Sequence, residues 1–497
     1  MKEILYQMLP RLWGRGKFSS VDEVSLVYLK ELGVDAIWYT GVIRHATMKG
    51  GEGCTPSHPQ IVKGEAGSPY AIKDYYDVNP YLADHPDHRM EEFLQLVKRT
   101  HAHGMKVILD FVPNHVSRDY ESVSAPAGVR SLGTDDNPNV HWAAENDFFY
   151  YPGEVLTLPE PYNGSAYYEY PAKASGNCFS PAPSATDWYE TIKLNYCDFH
   201  TGTWDKMYEI VRYWARKGVD GFRCDMVELV PPEFMQWLIG KIKGEFPQVI
   251  FIAEVYEKEK YRMYVEEVGF DLLYDKSGLY DSLRAVLSEG RTARSLSWNW
   301  QFLGDLQPRM LNFLENHDEQ RIASGFFAGS AEAGYGALGV SLLLNTAPFM
   351  LYFGQEVGES GMENEPFSGL NGRTSIFDWW TYDSLQKLSQ GTAGLSPRQA
   401  AVLERYRDAL SLAHRTAFAE GKTFDLGYCQ GEGFDPDRHF AFLRSNGGES
   451  WLIVANFGPE TDITVRIAPE AAAWLGVRLP DRRSLTVPQM DFKAVPL

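Results

Sequence analysis

Cysteine is scarce in this chain, with five residues among 497. They are Cys54, Cys178, Cys197, Cys224 and Cys429, and no CxxC occurs. An odd, scattered set argues against a disulfide framework and a zinc knuckle, so five reduced thiols are expected. Positive charge is also short. Lys+Arg is 47 against 66 for Asp+Glu, a formal net charge of −19. Nucleic acid and anionic membrane surfaces need a basic footprint, so neither is expected as a partner. Long hydrophobic runs are missing too. The most apolar window, Ala337 to Gly354, is broken by Asn345, Thr346 and Pro348. It reads as a helix, a turn and a strand rather than a membrane span. The opening MKEILYQMLPRLWG has no uninterrupted apolar core and no small-residue cleavage site. That predicts a cytoplasmic location.

What is there points to a folded, soluble protein with a neutral polar ligand. Hydrophobic residues make up 44% and charged residues 23%, enough to bury a core. Aromatics reach 14%. Flat rings stack on sugar faces and fill cores alike, so composition does not choose between those uses.

Eight apolar, strand-like runs recur along the chain: Ile4–Leu9, Ala36–Val42, Lys106–Val112, Gly221–Met226, Val249–Val255, Asp271–Tyr274, Met310–Leu314 and Phe349–Phe353. Helical periodicity lies between most of them. In Val21–Leu32 the residues Val24, Val27, Tyr28 and Leu32 form one stripe; in Met90–His103 the stripe is Phe93, Leu94, Val97 and His101. A third helix is read at Trp204–Lys217. Eight such units predict an α/β fold, a closed (β/α)8 barrel. Two stretches depart from the rhythm. The segment from Val116 to His200 lacks helical period and is rich in Gly, Pro, Asn and aromatics. After the helical run Arg398–His414, the segments His439–Arg444, Trp451–Asn456 and Asp462–Ile467 alternate apolar and polar residues. The expected division is therefore a barrel over 1–115 and 201–415, an inserted domain over 116–200, and a C-terminal antiparallel β-sandwich over 416–497.

In such a barrel the chemistry sits where strands end. The third strand ends Asp110-Phe-Val-Pro-Asn114-His115, the fourth carries Arg223 and Asp225, the fifth reaches Glu254, and the seventh is followed by His317 and Asp318. Side chains alternate along a strand, so Arg223 and Asp225 share a face that Phe222 and Cys224 do not. Carboxylates from several strands then converge on one mouth. Their repulsion raises the pKa of at least one, and a pair with one ionised and one protonated member can cleave an acetal. In that chemistry Arg223 keeps Asp225 ionised as nucleophile, and Glu254 donates the proton and later takes one. Asp318 holds sugar hydroxyls and favours the positive transition state. His115 and His317 add neutral donors. Each residue alone has a bland reading as cap, salt bridge or core; the four strand ends together are what carry the chemistry.

The same segments resemble the α-amylase family, glycoside hydrolase family 13. Asp110–His115 (DFVPNH), Gly221–Asp225 (GFRCD), Ile252–Val255 (IAEV) and Phe313–Asp318 (FLENHD) are similar to its four motifs in order and spacing. The resemblance implies Asp225 as nucleophile, Glu254 as general acid/base and Asp318 as transition-state stabiliser. It implies Arg223, His115 and His317 at the subsite of the attacked glucose, Tyr70 as a stacking ring, and Asp110 and Asn114 as supporting residues. It also implies cleavage of α-1,4-glucosidic bonds in starch-derived glucans or maltooligosaccharides, with retention.

Two departures bear on that expectation. Lys193, in Ile192-Lys193-Leu194-Asn195, stands where many calcium-dependent amylases bind the ion, and is more like the neopullulanase and cyclomaltodextrinase branch. No cofactor is therefore required; calcium on Asn114 is the one metal site to test. Glu228 and Leu229 stand where typical α-amylases carry Lys and His. The alternatives are an α-glucan transglycosylase or a maltogenic, neopullulanase-type hydrolase, and, in a different class, a non-catalytic glucan-binding protein.

Overall fold

Eight parallel strands close into a barrel in the computed structural model: β1 (Ile4–Met8), β2 (Ala36–Tyr39), β3 (Lys106–Phe111), β4 (Gly221–Cys224), β5 (Ile250–Ala253), β6 (Leu272–Tyr274), β7 (Met310–Phe313) and β8 (Phe349–Tyr352). Each pairs with its sequence neighbours, and β8 returns to β1, with Ile4 opposite Phe349 and Gln7 opposite Tyr352. The structure describes residues 2–51, 53–159, 164–197, 202–363, 366–379 and 382–497. Every expected strand is present, one to three residues shorter than its apolar run. Apolar character continues past each ladder because the first loop residues are still buried, as at Val42, Val112 and Val255.

Alternation along the strands sorts the core into two layers. Leu5, Trp38, Ile108, Ile252, Leu311 and Met350 fill the barrel interior. Phe222, Cys224, Phe251 and Ala253 point outward into the layer beneath the helices. The surrounding helices include α1 (Glu23–Glu31), α2 (Arg89–Ala102), α3 (Gly202–Arg216), α4 (Pro232–Glu245), α5 (Asp281–Ser288), α6 (Arg294–Leu303), α7 (Tyr335–Leu343) and α8 (Pro397–Ala413). The window Ala337–Gly354 resolves into most of α7, a turn and β8, and among the described residues no helix is long and apolar enough to cross a membrane.

Two helical stripes differ from the sequence expectation. In α1, Val24 is 48% exposed and Val27 39%; the inward face is Ser25, Leu26, Tyr28 and Leu29. Tyr28 and Leu32 of the expected stripe are buried, and the Tyr28 hydroxyl donates to Glu356 Oε1 at 3.0 Å. In α2 the buried residues are Phe93, Leu96, Val97 and Thr100, with Leu94 only half-buried. His101 is exposed and reaches Asp220 Oδ2 at 2.7 Å.

The stretch after β3 has no α-helix among its described residues up to Cys197. Its two ends are joined by His115–Ser117 pairing with Thr191–Lys193, and it buries Phe148, Phe149, Tyr150, Ile192 and Leu194. Arg118 is buried inside it, 2.8 Å from Glu169 Oε1. Beyond α8, β9 (Lys422–Asp425), β10 (His439–Ser445), β11 (Ser450–Asn456) and β14 (Phe492–Pro496) form one antiparallel sheet in the order β9-β10-β11-β14; β12 (Thr461–Arg466) pairs with β13 (Arg482–Val487). The five cysteines are all unpaired.

This sheet docks on the barrel through α7 and α8. Gly336 N–H donates to Met490 O at 2.9 Å. A Cβ on Gly339 would stand 2.3 Å from the Phe492 ring, so glycine is what lets that ring seat on α7. Arg405 of α8 donates to Asp491 Oδ1 at 2.6 Å and to Phe492 O at 3.0 Å. At the base of the barrel, Arg444 is fully buried and donates to the carbonyls of Leu343 (3.0 Å), Phe418 (2.9 Å) and Gly421 (2.9 Å). Lys2, also buried, donates to Leu342 O and, at 2.8 Å, to Asn345 O.

Candidate active site

Strand register places the acidic residues. Arg223 on β4 lies level with Asp110 on β3 and Ile252 on β5. Cys224 is level with Ala253, so the next residues, Asp225 and Glu254, leave the barrel side by side. Asp225 N–H still donates to Phe111 O at 2.9 Å and Glu254 N–H to Cys224 O at 3.2 Å, which holds both backbones at the strand ends. Both side chains are buried, at the floor of a cleft of about 220 Å³. Tyr70, His115, Trp188, Asp318 and Phe377 also line that cleft. A larger cavity, about 450 Å³, opens between α6 and the C-terminal sheet beside Trp298 and Tyr428; Asp425 is the single carboxylate on its wall.

Arg223 organises the cluster. One guanidinium nitrogen lies 2.6 Å from Asp225 Oδ1 and the other 2.8 Å from Glu254 Oε2; Asp110 Oδ1 is 3.9 Å away. The rings of Trp38, Tyr70 and Tyr274 surround the cation at 5.4, 5.2 and 5.6 Å. Burial works against the guanidinium charge, but Glu254, Tyr70, Tyr274 and Asp225 outweigh it and hold the pKa well above the ordinary arginine value.

The carboxylates go the other way. Burial, then the charges of Glu254 and Asp318, raise Asp225 well above its ordinary range; Arg223 opposes this and does not win. Arg223 favours the ionised form of Asp225, as the sequence suggested, but burial opposes it more strongly. Asp318 is pushed up to about 7 by burial and by Glu254, and Asp110 to about 6 by burial. The site is therefore a set of acids sharing fewer charges than carboxyls, as acid–base cleavage requires.

Both histidines are neutral near pH 7. Burial, with Lys193 and Lys63 nearby, takes His115 down to about 3, and burial with Arg223 lowers His317 strongly. Gln7 Nε2 donates to His317 Nδ1 at 2.8 Å, so the ring proton sits on Nε2. That nitrogen is 2.5 Å from Tyr70 Oη and 3.1 Å from Asp318 Oδ2. Tyr70 stacks on the His317 ring with centroids 5.3 Å apart. His115 packs against Trp188 at 5.1 Å.

Glu254 is held from three sides. Met226 N–H donates to Oε2 at 2.9 Å, and Tyr256 Oη donates to Oε1 at 2.8 Å. Met226 reaches this position with φ of 44°, a left-handed conformation that costs a non-glycine residue roughly 1–3 kcal/mol. Glu228 lies beside this group, and its carboxylate accepts the backbone N–H groups of Tyr256 (2.8 Å) and Glu257 (3.1 Å).

Asn114 was the candidate calcium ligand. Its Oδ1 accepts from the Lys193 ammonium, and its Nδ2 donates to Gly176 O at 2.9 Å. Among the described residues no three His, Cys, Asp or Glu side chains gather to hold a metal ion. A hard dication needs several oxygens, and an ammonium already on the key oxygen repels it. The donor set does not fit calcium.

The structure brings Asp225, Glu254, Asp318, Arg223, His115, His317 and Tyr70 to one mouth, with Asp110 beneath and Asn114 behind His115. Sequence reasoning missed Gln7, Trp38, Tyr274 and Tyr256. A polar Gln7 within ILYQM was one signal, and Tyr256, two residues past Glu254, was another.

The family model described as alpha amylase, catalytic domain, matches residues 16–439. The chain belongs to the α-amylase family. Alpha-amylase 3 of Dictyoglomus thermophilum is 25% identical over 351 residues, covering 69% of this chain and 60% of that protein. An α-1,4-glucan:maltose-1-phosphate maltosyltransferase of Cereibacter sphaeroides is 27% identical over 308 residues, covering 57% of this chain and 42% of its own. The chain thus spans 60% or less of these family members' length. In fold, a maltogenic α-amylase from Thermotoga neapolitana superposes with a TM-score of 0.64 at 21% identity, covering 100% of this chain and 96% of that one. The cyclic α-maltosyl-(1→6)-maltose hydrolase of Arthrobacter globiformis gives 0.67 at 18%, covering 100% and 98%.

Proposed function

We propose that the chain is a retaining glycoside hydrolase that cleaves α-1,4-glucosidic bonds in starch-derived glucans or maltooligosaccharides. The observation that carries this reading is the single guanidinium of Arg223 touching both Asp225 (2.6 Å) and Glu254 (2.8 Å). One small cation bridging two carboxyls favours the close spacing of a retaining pair over the wider gap that an inverting pair leaves for water.

In this reading Asp225 attacks the anomeric carbon as Glu254 gives its proton to the departing glycosidic oxygen. The products are a glycosyl ester on Asp225 and a shortened sugar. Glu254, now ionised, takes a proton from water, whose oxygen breaks the ester and restores Asp225 with net retention. Asp318 and the neutral His115 and His317 hold hydroxyls of the attacked ring, and Tyr70 stacks beneath it. Asp110 supports Arg223 from below. A neutral, polyhydroxylated glucan is the substrate class that an acidic surface and an aromatic-lined cleft accept.

A maltoheptaose time course, with product lengths and product anomer followed together, tests this. Shorter products released first as the α-anomer are the expected result. Products longer than the substrate would reassign the chain to glucan transfer. Binding without turnover, equal in wild type and Asp225→Asn, would leave a glucan-binding protein.

A further inference from the structure

Glu254 has two carboxyl oxygens, and their surroundings differ. Oε2 receives the Met226 N–H at 2.9 Å and faces an Arg223 nitrogen at 2.8 Å. The Met226 N–H bonded to Oε2 and the guanidinium charge beside it both disfavour a proton on that oxygen. The transferable proton is therefore assigned to Oε1. The group in contact with Oε1 is the Tyr256 hydroxyl, at 2.8 Å. A hydroxyl both donates and accepts, so it can accept from the protonated acid and donate to the carboxylate left after transfer. As it donates, it favours the charged form, and so it eases the proton off Oε1 toward the leaving oxygen.

The phenol is held in place from its backbone. Tyr256 follows β5 in a loop and is 37% exposed as a residue, so packing alone does not fix it. Glu228, which follows β4, accepts the N–H groups of Tyr256 and Glu257 at 2.8 and 3.1 Å. A carboxylate bonded to two consecutive amides pins the loop and orients the ring that follows from it. Glu228 is half-buried and spends both oxygens this way.

Resting on the reading of Glu254 as the acid, we propose that Tyr256 and Glu228 form a positioning pair for proton delivery: Glu228 clamps the loop, and Tyr256 sets the proton-bearing oxygen. The charged and titratable groups acting on Glu254 are Arg223 and Asp225 from β4 and its end, Tyr274 on β6, Asp318 beyond β7 and Tyr256 itself, with Glu228 behind the loop.

Leaving-group chemistry tests the pair. Wild type, Tyr256→Phe, Glu228→Gln and Glu228→Ala are compared on maltoheptaose and on α-maltosyl fluoride, whose fluoride departs with little protonation. Tyr256→Phe is expected to lose about 10- to 100-fold in kcat on maltoheptaose and less than about 3-fold on the fluoride. The alkaline limb of its kcat/KM profile is expected to move to higher pH. Glu228→Ala should show the same split at smaller size, and Glu228→Gln, which keeps one acceptor oxygen, should recover part of it. Equal losses on both substrates with an unmoved alkaline limb would overturn the proposal and leave Tyr256 a wall of the cleft. A wild type inert on both substrates would instead overturn the hydrolase reading, and the pair with it. Circular dichroism and Tm confirm that each variant is folded before rates are compared.

Discussion

The barrel buries a cation at each end, and the two are treated in opposite ways. At the mouth, Arg223 sits among three carboxylates and three aromatic rings, and its pKa is driven up. At the base, Arg444 meets only backbone carbonyls among its hydrogen-bond partners in the described residues, and burial brings it down to about 9. Lys2 beside it is lowered strongly by burial and by Arg444. The same side-chain chemistry therefore does two jobs. Carbonyls satisfy the donors of Arg444 and tie three chain segments together without supplying a counter-charge. Carboxylates around Arg223 supply charge that can be redistributed when one of them gains or loses a proton. Only the second arrangement can respond to a reacting sugar.

The largest expected effects separate the two ends by function. Arg223→Met should cut kcat/KM by about 10³-fold or more, and Asp225→Asn by about 10⁴-fold, measured on maltoheptaose. Arg444→Met should leave kcat per folded molecule unchanged while destabilising the protein by about 2–4 kcal/mol, since three buried carbonyls lose their donor. If Arg444→Met lowers kcat without lowering Tm, the comparison fails.

A smaller effect tests the charge at the mouth. Asp110 has a pKa of about 6 in the fold, against roughly 3.9 when unfolded. A carboxyl raised on folding binds its proton more tightly in the native state. Its contribution is therefore present at low pH and is lost as pH rises through about 6. Asp110→Asn should stabilise the protein by about 2 kcal/mol at pH 8, with the gain fading toward pH 4. Thermal unfolding at both pH values checks it, and a gain at pH 4 alone would reverse the sign. The same logic puts the acid limb of activity above the ordinary carboxylate range, because the raised Asp225 must lose its proton to attack.

The smallest expected effect concerns Lys193. With its ammonium on Asn114 Oδ1, a chelator such as EDTA should leave both Tm and activity where they were. Lys193→Asn, which removes the cation and adds an oxygen, should make Tm respond to added calcium. A chelator-sensitive wild type would show that the Asn114 region holds an ion after all.

Much of the site was legible because its residues lie on a regular lattice. Once β4 and β5 are recognised as strands, alternation alone places Arg223, Asp225 and Glu254 on one face. The helix stripes were less legible. Val24 and Val27 are apolar yet exposed, while Ser25 is buried, so apolar spacing alone does not give the inward face of α1. Which carboxylate is raised was not legible for a related reason: the sequence displays the arginine beside Asp225 but not the depth of burial. Trp38 and Tyr274 are inward-facing like their neighbours and look like ordinary core. Their part in caging Arg223 depends on strands far apart in sequence. Tyr256 could have been found, since it stands two residues beyond Glu254 where alternation returns to the same side.

The seat of Phe492 on Gly339 has a consequence for how the chain is made. Helix α7 belongs to the barrel, yet one of its faces is completed by residues 490–492, which lead into β14 of the C-terminal sheet. During translation every barrel strand and helix has emerged before that partner exists. The nascent barrel must wait with an uncovered glycine-lined notch on α7. An elongation arrest placed between α8 and β14 should hold a barrel that is assembled but still open to proteases at α7.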